Sequence, residues 1–173
     1  MPNNQSKHSV KTQISNEKST NSHGSEQFKP NTTVAAVICY QNKFLLVEEL
    51  EHGATVYNQP AGHLESAENL VHAMERELKE ETGLSLTPAY LCGIYYYHRC
   101  SINLYYLRFC FVIELDDLLA TQPEDEEIIA CHWFTLAEIK AKSAQLRSPL
   151  VLECIEDYLS GKKIPLTHLK SNL

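Results

Sequence analysis

Several kinds of segment are missing from this chain of 173 residues, and each absence excludes a class of protein. No apolar run approaches the about 20 residues that a membrane-spanning helix needs, so we expect no membrane partner. None of the six cysteines forms a CxxC pair, which argues against a zinc ribbon or a thioredoxin-like redox motif. No signal peptide is visible, and a reducing cytoplasm is therefore the expected compartment.

The N-terminal part has no arginine and, apart from Val10 and Ile14, almost no apolar residues. The first arginine is Arg76, which argues against an arginine-rich transit peptide. Residues 1–27 are mostly Asn, Ser, Lys, Thr, Gln and His, and such a segment cannot bury enough surface to offset its ordering entropy. We expect a disordered N-terminal extension over residues 1–27 and one folded domain over residues 28–173.

The charge of the chain narrows the class of partner. The net charge is −7, and four lysines and two glutamates give residues 1–30 a charge of +2, which leaves −9 for the remainder. Such an acidic body argues against nucleic acid and anionic membranes. It permits a phosphorylated small molecule, because a bound metal ion reverses the local sign of the charge. Charge does not separate a monomer from a homodimer.

Hydrophobic periodicity predicts a mixed α+β domain without internal repeats. Strands are expected over residues 33–40, 43–48, 90–97, 104–114 and 128–134. Helices are expected over residues 69–82, from residue 135 after a capping box, and over residues 149–159. In the run 95–97, three tyrosines should alternate between the two faces of a strand, with one face in the core and the other a candidate pocket wall.

The segment 62–84, GHLESAENLVHAMERELKEETGL, contains the strongest chemical signal. Glu77, Glu80 and Glu81 stand at i, i+3 and i+4, so a helix places their carboxylates on one face. These carboxylates repel one another unless a cation lies between them. Mg²⁺, or Mn²⁺ in its place, suits such oxygen ligands and substrate phosphates together. A solvated acidic helix face is the structural alternative.

The same segment matches the Nudix box, G-x5-E-x7-R-E-U-x-E-E-x-G-U, where U is apolar. The matching residues are Gly62, Glu68, Arg76, Glu77, Leu78, Glu80, Glu81, Gly83 and Leu84. Seven identities are fixed, so a chance match is on the order of one in 10⁸ or rarer per start site. On these residues the chain is identified as a member of the Nudix hydrolase superfamily.

The resemblance extends beyond the box to the NudJ-type phosphatases, a branch of that superfamily. It is carried by the segments FKPNTTVAAV, NQPAGHLE, TQP and LRSPLV, and it spans about four fifths of the chain. It implies the Nudix αβα sandwich with a mixed β-sheet. It also implies that the metal ligands are Glu77, Glu80, Glu81 and a main-chain carbonyl around Gly62, where glycine permits a close approach.

Two box residues are expected to support the metal ligands without touching substrate. Arg76 offers a fork of donors that holds a carboxylate in orientation. By resemblance, Arg76 orients the metal-binding glutamates and Glu68 is its partner.

The general base is not part of the box in many family members, where a glutamate shortly before a Trp-containing strand supplies it. Trp133 is preceded here by the acidic run 124–127, so Glu127 and Asp125 are the candidates. A solvated acidic loop is the structural alternative. A second chemical alternative is that Glu77 or Glu80 activates the water through the metal.

Contacts to the rest of the substrate are expected from two groups of residues. Just upstream of the metal loop, an aromatic ring followed by two amides is placed to stack on and hydrogen-bond a base. Two arginines on the later strands are candidates for binding the terminal phosphate. The last arginine is a candidate either for the same role or for capping the final helix. The candidates are Tyr57, Asn58, Gln59, Arg99, Arg108 and Arg147, and a structural role is the alternative for each.

Together these residues predict a Mg²⁺-dependent hydrolase of phosphoanhydride bonds. The NudJ-type resemblance implies nucleoside tri- and diphosphates and hydroxymethylpyrimidine diphosphate, a thiamine pyrophosphate precursor, as substrates, with orthophosphate released. One alternative is a Nudix pyrophosphohydrolase of ADP-ribose or dinucleoside polyphosphates. Another is a Nudix-fold nucleotide sensor that binds without cleaving, although sensors usually have degraded boxes.

Overall fold

The structure is a computed structural model that describes residues 27–173. The prediction of disorder over residues 1–27 therefore lies almost entirely outside the described residues. The strands are β1 (Asn31–Tyr40), β2 (Lys43–Glu51), β3 (Ala54–Asn58), β4 (Ala61–His63), β5 (Tyr90–Arg99), β6 (Leu104–Leu115), β7 (Ile128–Thr135) and β8 (Ile164–Pro165). The helices are α1 (Leu70–Thr82), α2 (Leu136–Ala141) and α3 (Leu150–Leu159), with short 3₁₀ turns at Ser143–Gln145 and Leu166–His168.

The strands form one mixed sheet in the order β3-β2-β1-β6-β5-β8, with β4 also paired to β1 and β7 to β2. β1 runs parallel to β6 over its whole length and pairs with β2 only next to their hairpin turn. Further along, β1 pairs instead with β4, from Ala35 opposite Ala61 to Thr33 opposite His63. This exchange of partners fixes the Gly62 segment against the sheet.

Helices cover both faces of the sheet, which confirms the predicted αβα sandwich. Because successive strand residues point to opposite faces, Val34 and Ala36 of β1 pack with Met74 of α1, whereas Ala35 and Val37 face the other layer. That layer contains fully buried side chains of α2 and α3, which are Ile139, Val151, Cys154 and Ile155.

The ends of α1 follow the sequence signals. The Asn69 side chain accepts hydrogen bonds from the N–H groups of Val71 and His72, which caps the first turn. Gly83 adopts φ = 73°, and its N–H donates to the Lys79 carbonyl, which ends the helix. The predicted helix over residues 69–82 is confirmed, and so is the capping box of Thr135 and Glu138 that opens α2.

Three strands are absent from the prediction, namely β3, β4 and β8. β4 has three residues with a glycine at its centre, and β8 has two, so neither is long enough to show a period. The tyrosine run also differs from expectation. Tyr95 in the core and Tyr97 at a cavity share one face of β5, while Tyr96 on the other face is exposed.

In the part of the chain that the structure describes, no helix is long and apolar enough to cross a membrane. All six cysteines lie in that part and are free thiols. Four of them, Cys39, Cys92, Cys110 and Cys154, are buried as small apolar side chains.

Candidate active site

A cavity of about 190 Å³ opens where β4, α1 and the ends of the central strands meet. Three glutamates and an aspartate line it together with three arginines, so charges of both signs face the same space. The charged lining residues other than histidine are Glu49, Glu81, Asp125, Glu127, Arg99, Arg108 and Arg147. Gly62 and the neighbouring Ala61 and His63 also line it.

Glu81 brings a buried carboxylate from the last turn of α1 to this cavity. The residue is only 7% exposed, and its Oε2 accepts a hydrogen bond of 2.8 Å from the Ala61 N–H. Burial raises the pKa of Glu81 to about 8, and the nearby negative charges of Glu77, Asp125 and Glu80 add to the rise. A cation placed beside this carboxylate would offset the free-energy cost of burying its negative charge.

Glu77 lies directly against Gly62. A Cβ at Gly62 would overlap the Glu77 carboxylate, so the close approach requires glycine at this position. Burial raises the pKa of Glu77, and this effect exceeds the opposing contribution of the hydrogen bond from Arg76. Two of the three predicted metal-binding carboxylates therefore meet the 61–62 segment.

Arg76 ties the Nudix-box residues together. It donates to both carboxylate oxygens of Glu68, at 3.1 and 2.8 Å, and to the His63 carbonyl at 3.0 Å. The same guanidinium donates to Glu77 at 2.7 Å and to Glu80 at 3.1 Å. The hydrogen bonds with Glu68 raise the pKa of Arg76 and lower that of Glu68. The pairing expected from the sequence is present, and neither Arg76 nor Glu68 lines the cavity.

The predicted metal ligands do not converge fully. Among residues 27–173, no three His, Cys, Asp or Glu side chains are grouped closely enough to hold an ion. Arg76 explains this arrangement, because it draws Glu77 and Glu80 towards itself. The donor set still fits a hard divalent cation, since it consists of carboxylate oxygens around a buried Glu81 that has no cationic partner in the described part of the chain. The ligand roles of Glu77, Glu80, Glu81 and Gly62 stay predictions.

The acidic loop before β7 is hydrogen-bonded to the end of α1. The N–H groups of Glu124 and Asp125 both donate to the Glu80 carbonyl at 2.8 Å, which satisfies an end group of the helix. The Asp125 side chain in turn accepts from the Glu127 N–H at 2.8 Å. Both candidate general bases, Asp125 and Glu127, therefore line the cavity beside Glu81. We call these three residues the acidic wall.

Another part of the lining has buried polar side-chain atoms that make no hydrogen bond within the described residues. We call it the polar wall, and it consists of Thr33, Asn58, Arg108 and Ser148. In the described residues, the buried side-chain oxygens and nitrogens without a hydrogen-bond partner are Thr33 Oγ1, Asn58 Oδ1, Arg108 Nε and Ser148 Oγ. All of them belong to this wall. Buried polar atoms are rarely left unpaired, so their grouping indicates a ligand site.

The three cavity arginines differ in their partners. Arg99 forms a two-pronged pair with Glu51, at 2.7 and 2.6 Å, and Arg147 forms an ion pair with Glu49. Arg108 has no carboxylate partner among the described residues. The sequence prediction named the three arginines but missed Glu49 and Glu51. The strand predicted over residues 43–48 ended before these glutamates, which lie where β2 pairs with the unpredicted β3.

Tyr57 and Gln59 are placed differently from the prediction. The Tyr57 ring is buried, edge-on to His132 and Phe134 at centroid distances of 5.8 and 5.5 Å, and does not line the cavity. It is therefore not positioned to stack on a base. Gln59 is also buried and donates to the Val151 carbonyl at 3.2 Å. Tyr57, near the end of β3, and Gln59, just after that strand, both face the α3 layer.

Two members of the polar wall, Thr33 and Ser148, were missed as site residues. Thr33 is the last polar residue before the apolar run of β1 and shares the face of Ala35 and Val37. Alternation along β1 could have placed Thr33 on this face. Only the assembled sheet shows that this end of β1 lies at the cavity. Ser148 lies in the loop before α3 and carries no pattern that distinguishes it from a helix cap.

Comparison with known proteins agrees with this geometry. The NUDIX domain model matches residues 29–154. Phosphatase NudJ of Escherichia coli (strain K12) is 46% identical over 139 residues, which cover 80% of this chain and 90% of that protein. Phosphatase NudJ of Shigella sonnei (strain Ss046) is 47% identical over the same shares. The chain belongs to the Nudix family and is a Nudix hydrolase.

Solved structures show the same fold. A NUDIX hydrolase from Nitrosomonas europaea has a TM-score of 0.78 and 47% identity, over 83% of this chain and 97% of that chain. The NUDIX domain of Shewanella oneidensis NrtR, solved in complex with ADP ribose, has a TM-score of 0.67. At 18% identity, over 78% of this chain and 90% of that one, it shows the fold alone.

Proposed function

We propose that this Nudix hydrolase cleaves the terminal phosphoanhydride bond of nucleoside tri- and diphosphates and releases orthophosphate. The observation that carries the proposal is that one cavity is lined by groups of both kinds. They are the buried Glu81 carboxylate and the buried Arg108 guanidinium, which has no carboxylate partner in the described chain. The likeness to proteins named Phosphatase NudJ supports the same reaction.

Mg²⁺, with Mn²⁺ as its substitute, is the proposed cofactor. Glu77, Glu80, Glu81 and a main-chain carbonyl around Gly62 would hold it. When bound, it supplies positive charge that polarises the phosphoryl group and lowers the pKa of the attacking water. Arg76 and Glu68 fix the orientation of these carboxylates through the contacts described above.

The remaining steps belong to residues of the acidic wall. Glu127 or Asp125 accepts a proton from the attacking water, because both lie beside Glu81 at the cavity. The water oxygen forms a bond to the terminal phosphorus, and the bond from that phosphorus to the bridging oxygen breaks. The bridging oxygen leaves on the shortened nucleotide, so the products are orthophosphate and a nucleotide with one phosphate fewer.

The NudJ-type resemblance extends the proposal to hydroxymethylpyrimidine diphosphate, the thiamine pyrophosphate precursor, which ends in the same unsubstituted phosphate. The cytoplasm is the proposed compartment, supported by cysteines that are buried as thiols. The oligomeric state, monomer or homodimer, stays open.

Product analysis on a panel of substrates tests the proposal. The panel is ATP, GTP, GDP, ADP-ribose and hydroxymethylpyrimidine diphosphate, each with Mg²⁺ and with EDTA. We expect Mg²⁺-dependent orthophosphate release from the nucleotides and from hydroxymethylpyrimidine diphosphate. Pyrophosphate or sugar-phosphate products would favour the rival activity on ADP-ribose or dinucleoside polyphosphates. Binding without turnover of any substrate would favour a nucleotide sensor.

A further inference from the structure

Arg108 is the starting point, because a buried cation without a counter-ion is costly. The residue is 9% exposed, and among the described residues its one side-chain hydrogen bond is a long one of 3.5 Å from Nη1 to Gln59 Oε1. Its Nε is buried and unpaired. In the described chain, the other arginines each contact at least one carboxylate. An anionic ligand at Arg108 would supply the missing charge.

The neighbours of Arg108 add hydrogen-bond donors without adding negative charge. The hydroxyls of Thr33 and Ser148 are buried, unpaired and free to donate. Asn58 is 4% exposed, and rotation of its amide by 180° would present the N–H₂ group at the point where Oδ1 lies unpaired. A guanidinium, two hydroxyls and an amide together match the several acceptor oxygens of a phosphate group.

The position of this wall connects it to the reaction centre. Thr33 is the sheet partner of Arg108 on one side and of His63 on the other, and His63 follows Gly62. Two strand spacings, about 10 Å, therefore separate the backbone of Arg108 from the Gly62 segment, and the long arginine side chain extends into the shared cavity. The cavity of about 190 Å³ is below the roughly 300–1,000 Å³ of pockets that enclose a whole drug-sized ligand, so it suits one compact group.

From these observations we infer that the polar wall is a phosphate subsite that holds the terminal, unesterified phosphate of the substrate. The inference rests on the proposed phosphoanhydride hydrolysis and assigns its selectivity to Arg108, Thr33, Asn58 and Ser148. A terminal phosphate that is joined to the rest of the substrate through one oxygen only has more negative charge and less bulk than a phosphate substituted at two oxygens. The wall therefore selects nucleoside di- and triphosphates over substituted diphosphates, and water attacks the end group.

A matched pair of substrates tests the selectivity directly. ADP and its β-methyl ester differ only in the ester on the terminal phosphate. We expect the kcat/KM ratio of ADP to methyl ester to be at least about 100 in the wild-type protein, and to fall about 10- to 100-fold in Arg108→Met. Arg108→Lys should lie between them. Lys140→Met, which removes an exposed cation on α2 that pairs with Glu156 and does not line the cavity, should leave the ratio within about twofold.

A binding measurement in EDTA separates this inference from the proposed function. We expect isothermal titration with α,β-methylene-ADP, and separately with orthophosphate, to show weaker binding to Arg108→Met. Weaker binding of both ligands shows that the subsite binds a phosphate group, either as part of a nucleotide or as free orthophosphate. Equal loss of kcat/KM for ADP and its methyl ester, or unchanged binding of α,β-methylene-ADP, would overturn the inference. An absence of Mg²⁺-dependent turnover alone would overturn only the proposed reaction.

The unfolding temperature of Arg108→Met shows whether the variant is correctly folded. Methionine fills a similar volume without charge, so Arg108→Met should unfold at a temperature equal to or above that of the wild type in EDTA. A fall of several degrees would show that Arg108 has a structural partner in the ligand-free fold, and the subsite would lose its central argument.

Discussion

Arg76 and Arg108 are two arginines of the candidate active site with opposite surroundings. Arg76 contacts three carboxylates and a carbonyl, and its charge is used within the protein to orient Glu68, Glu77 and Glu80. Arg108 is buried more deeply and contacts no carboxylate in the described chain. The difference shows that residue type alone does not assign a role. The cation already surrounded by anions organises the site, and the cation without one is available to an anionic substrate.

The same contrast separates the two walls. The acidic wall gathers negative charge at the end of α1, where burial raises the pKa of Glu81. The polar wall gathers donors and unpaired polar atoms. We therefore expect changes in the acidic wall to alter the rate for all substrates, and changes in the polar wall to alter the choice among them.

The largest effect is expected from Glu81→Gln. If Glu81 binds the metal ion as proposed, its loss removes several kcal/mol of transition-state stabilisation, and kcat with ATP should fall by on the order of 10³-fold or more. The amide oxygen can still accept from the Ala61 N–H, and the fold should survive. Glu75→Gln on the same helix is the control and should retain activity. Wild-type turnover in Glu81→Gln would contradict the ligand assignment. The kcat/KM ratio of ADP to its methyl ester should be the same in Glu81→Gln as in the wild type.

A somewhat smaller effect is expected from Glu127→Gln. Removal of a general base lowers rates by about 10²- to 10³-fold. Glu126→Gln, one residue away and outside the cavity lining, is the matched control. If Asp125→Asn rather than Glu127→Gln lowers kcat, the base is Asp125. If neither does, water activation belongs to the box glutamates.

A moderate effect is expected from Arg76→Lys. Lysine keeps the charge but cannot hold Glu68 with two parallel hydrogen bonds, so Glu77 and Glu80 lose their orientation. We expect the Mg²⁺ concentration for half-maximal activity to rise about 10- to 100-fold. Substrate selectivity should be unchanged, because Arg76 does not line the cavity. An unchanged Mg²⁺ requirement would show that the Arg76 network is only structural.

The smallest expected effect is the release of a proton when Mg²⁺ binds. The pKa of Glu81 is raised to about 8 without a cation, so this carboxyl is mostly protonated at pH 7, whereas a metal ligand must be ionised. Mg²⁺ binding should therefore release close to one proton per ion at about pH 7 and almost none above about pH 9, and Mg²⁺ affinity should rise with pH up to about 8. Titration in two buffers of different ionisation enthalpy measures the release. Glu81→Gln should lose it.

Local signals were sufficient for much of the fold. Asn69 and Gly83 set the ends of α1, Thr135 and Glu138 set the start of α2, and alternation located five strands within a few residues. β4 could not be predicted, because three residues around a glycine carry no period and their pairing with β1 depends on a segment about 30 residues away. Tyr57 shows the same limit, since its burial depends on His132 and Phe134.

The sequence by itself determined the family and the candidate metal-binding face. The Nudix box places Arg76, Glu77, Glu80 and Glu81 within two turns of α1, where spacing dictates which face they share. Only the tertiary structure decided the recognition site. Thr33, Asn58, Arg108 and Ser148 come from four separate segments, and whether each polar atom finds a partner is a property of the packed sheet and helices. Pairing and burial are long-range outcomes of folding, so no local pattern distinguishes Arg108 from Arg99 or Arg147.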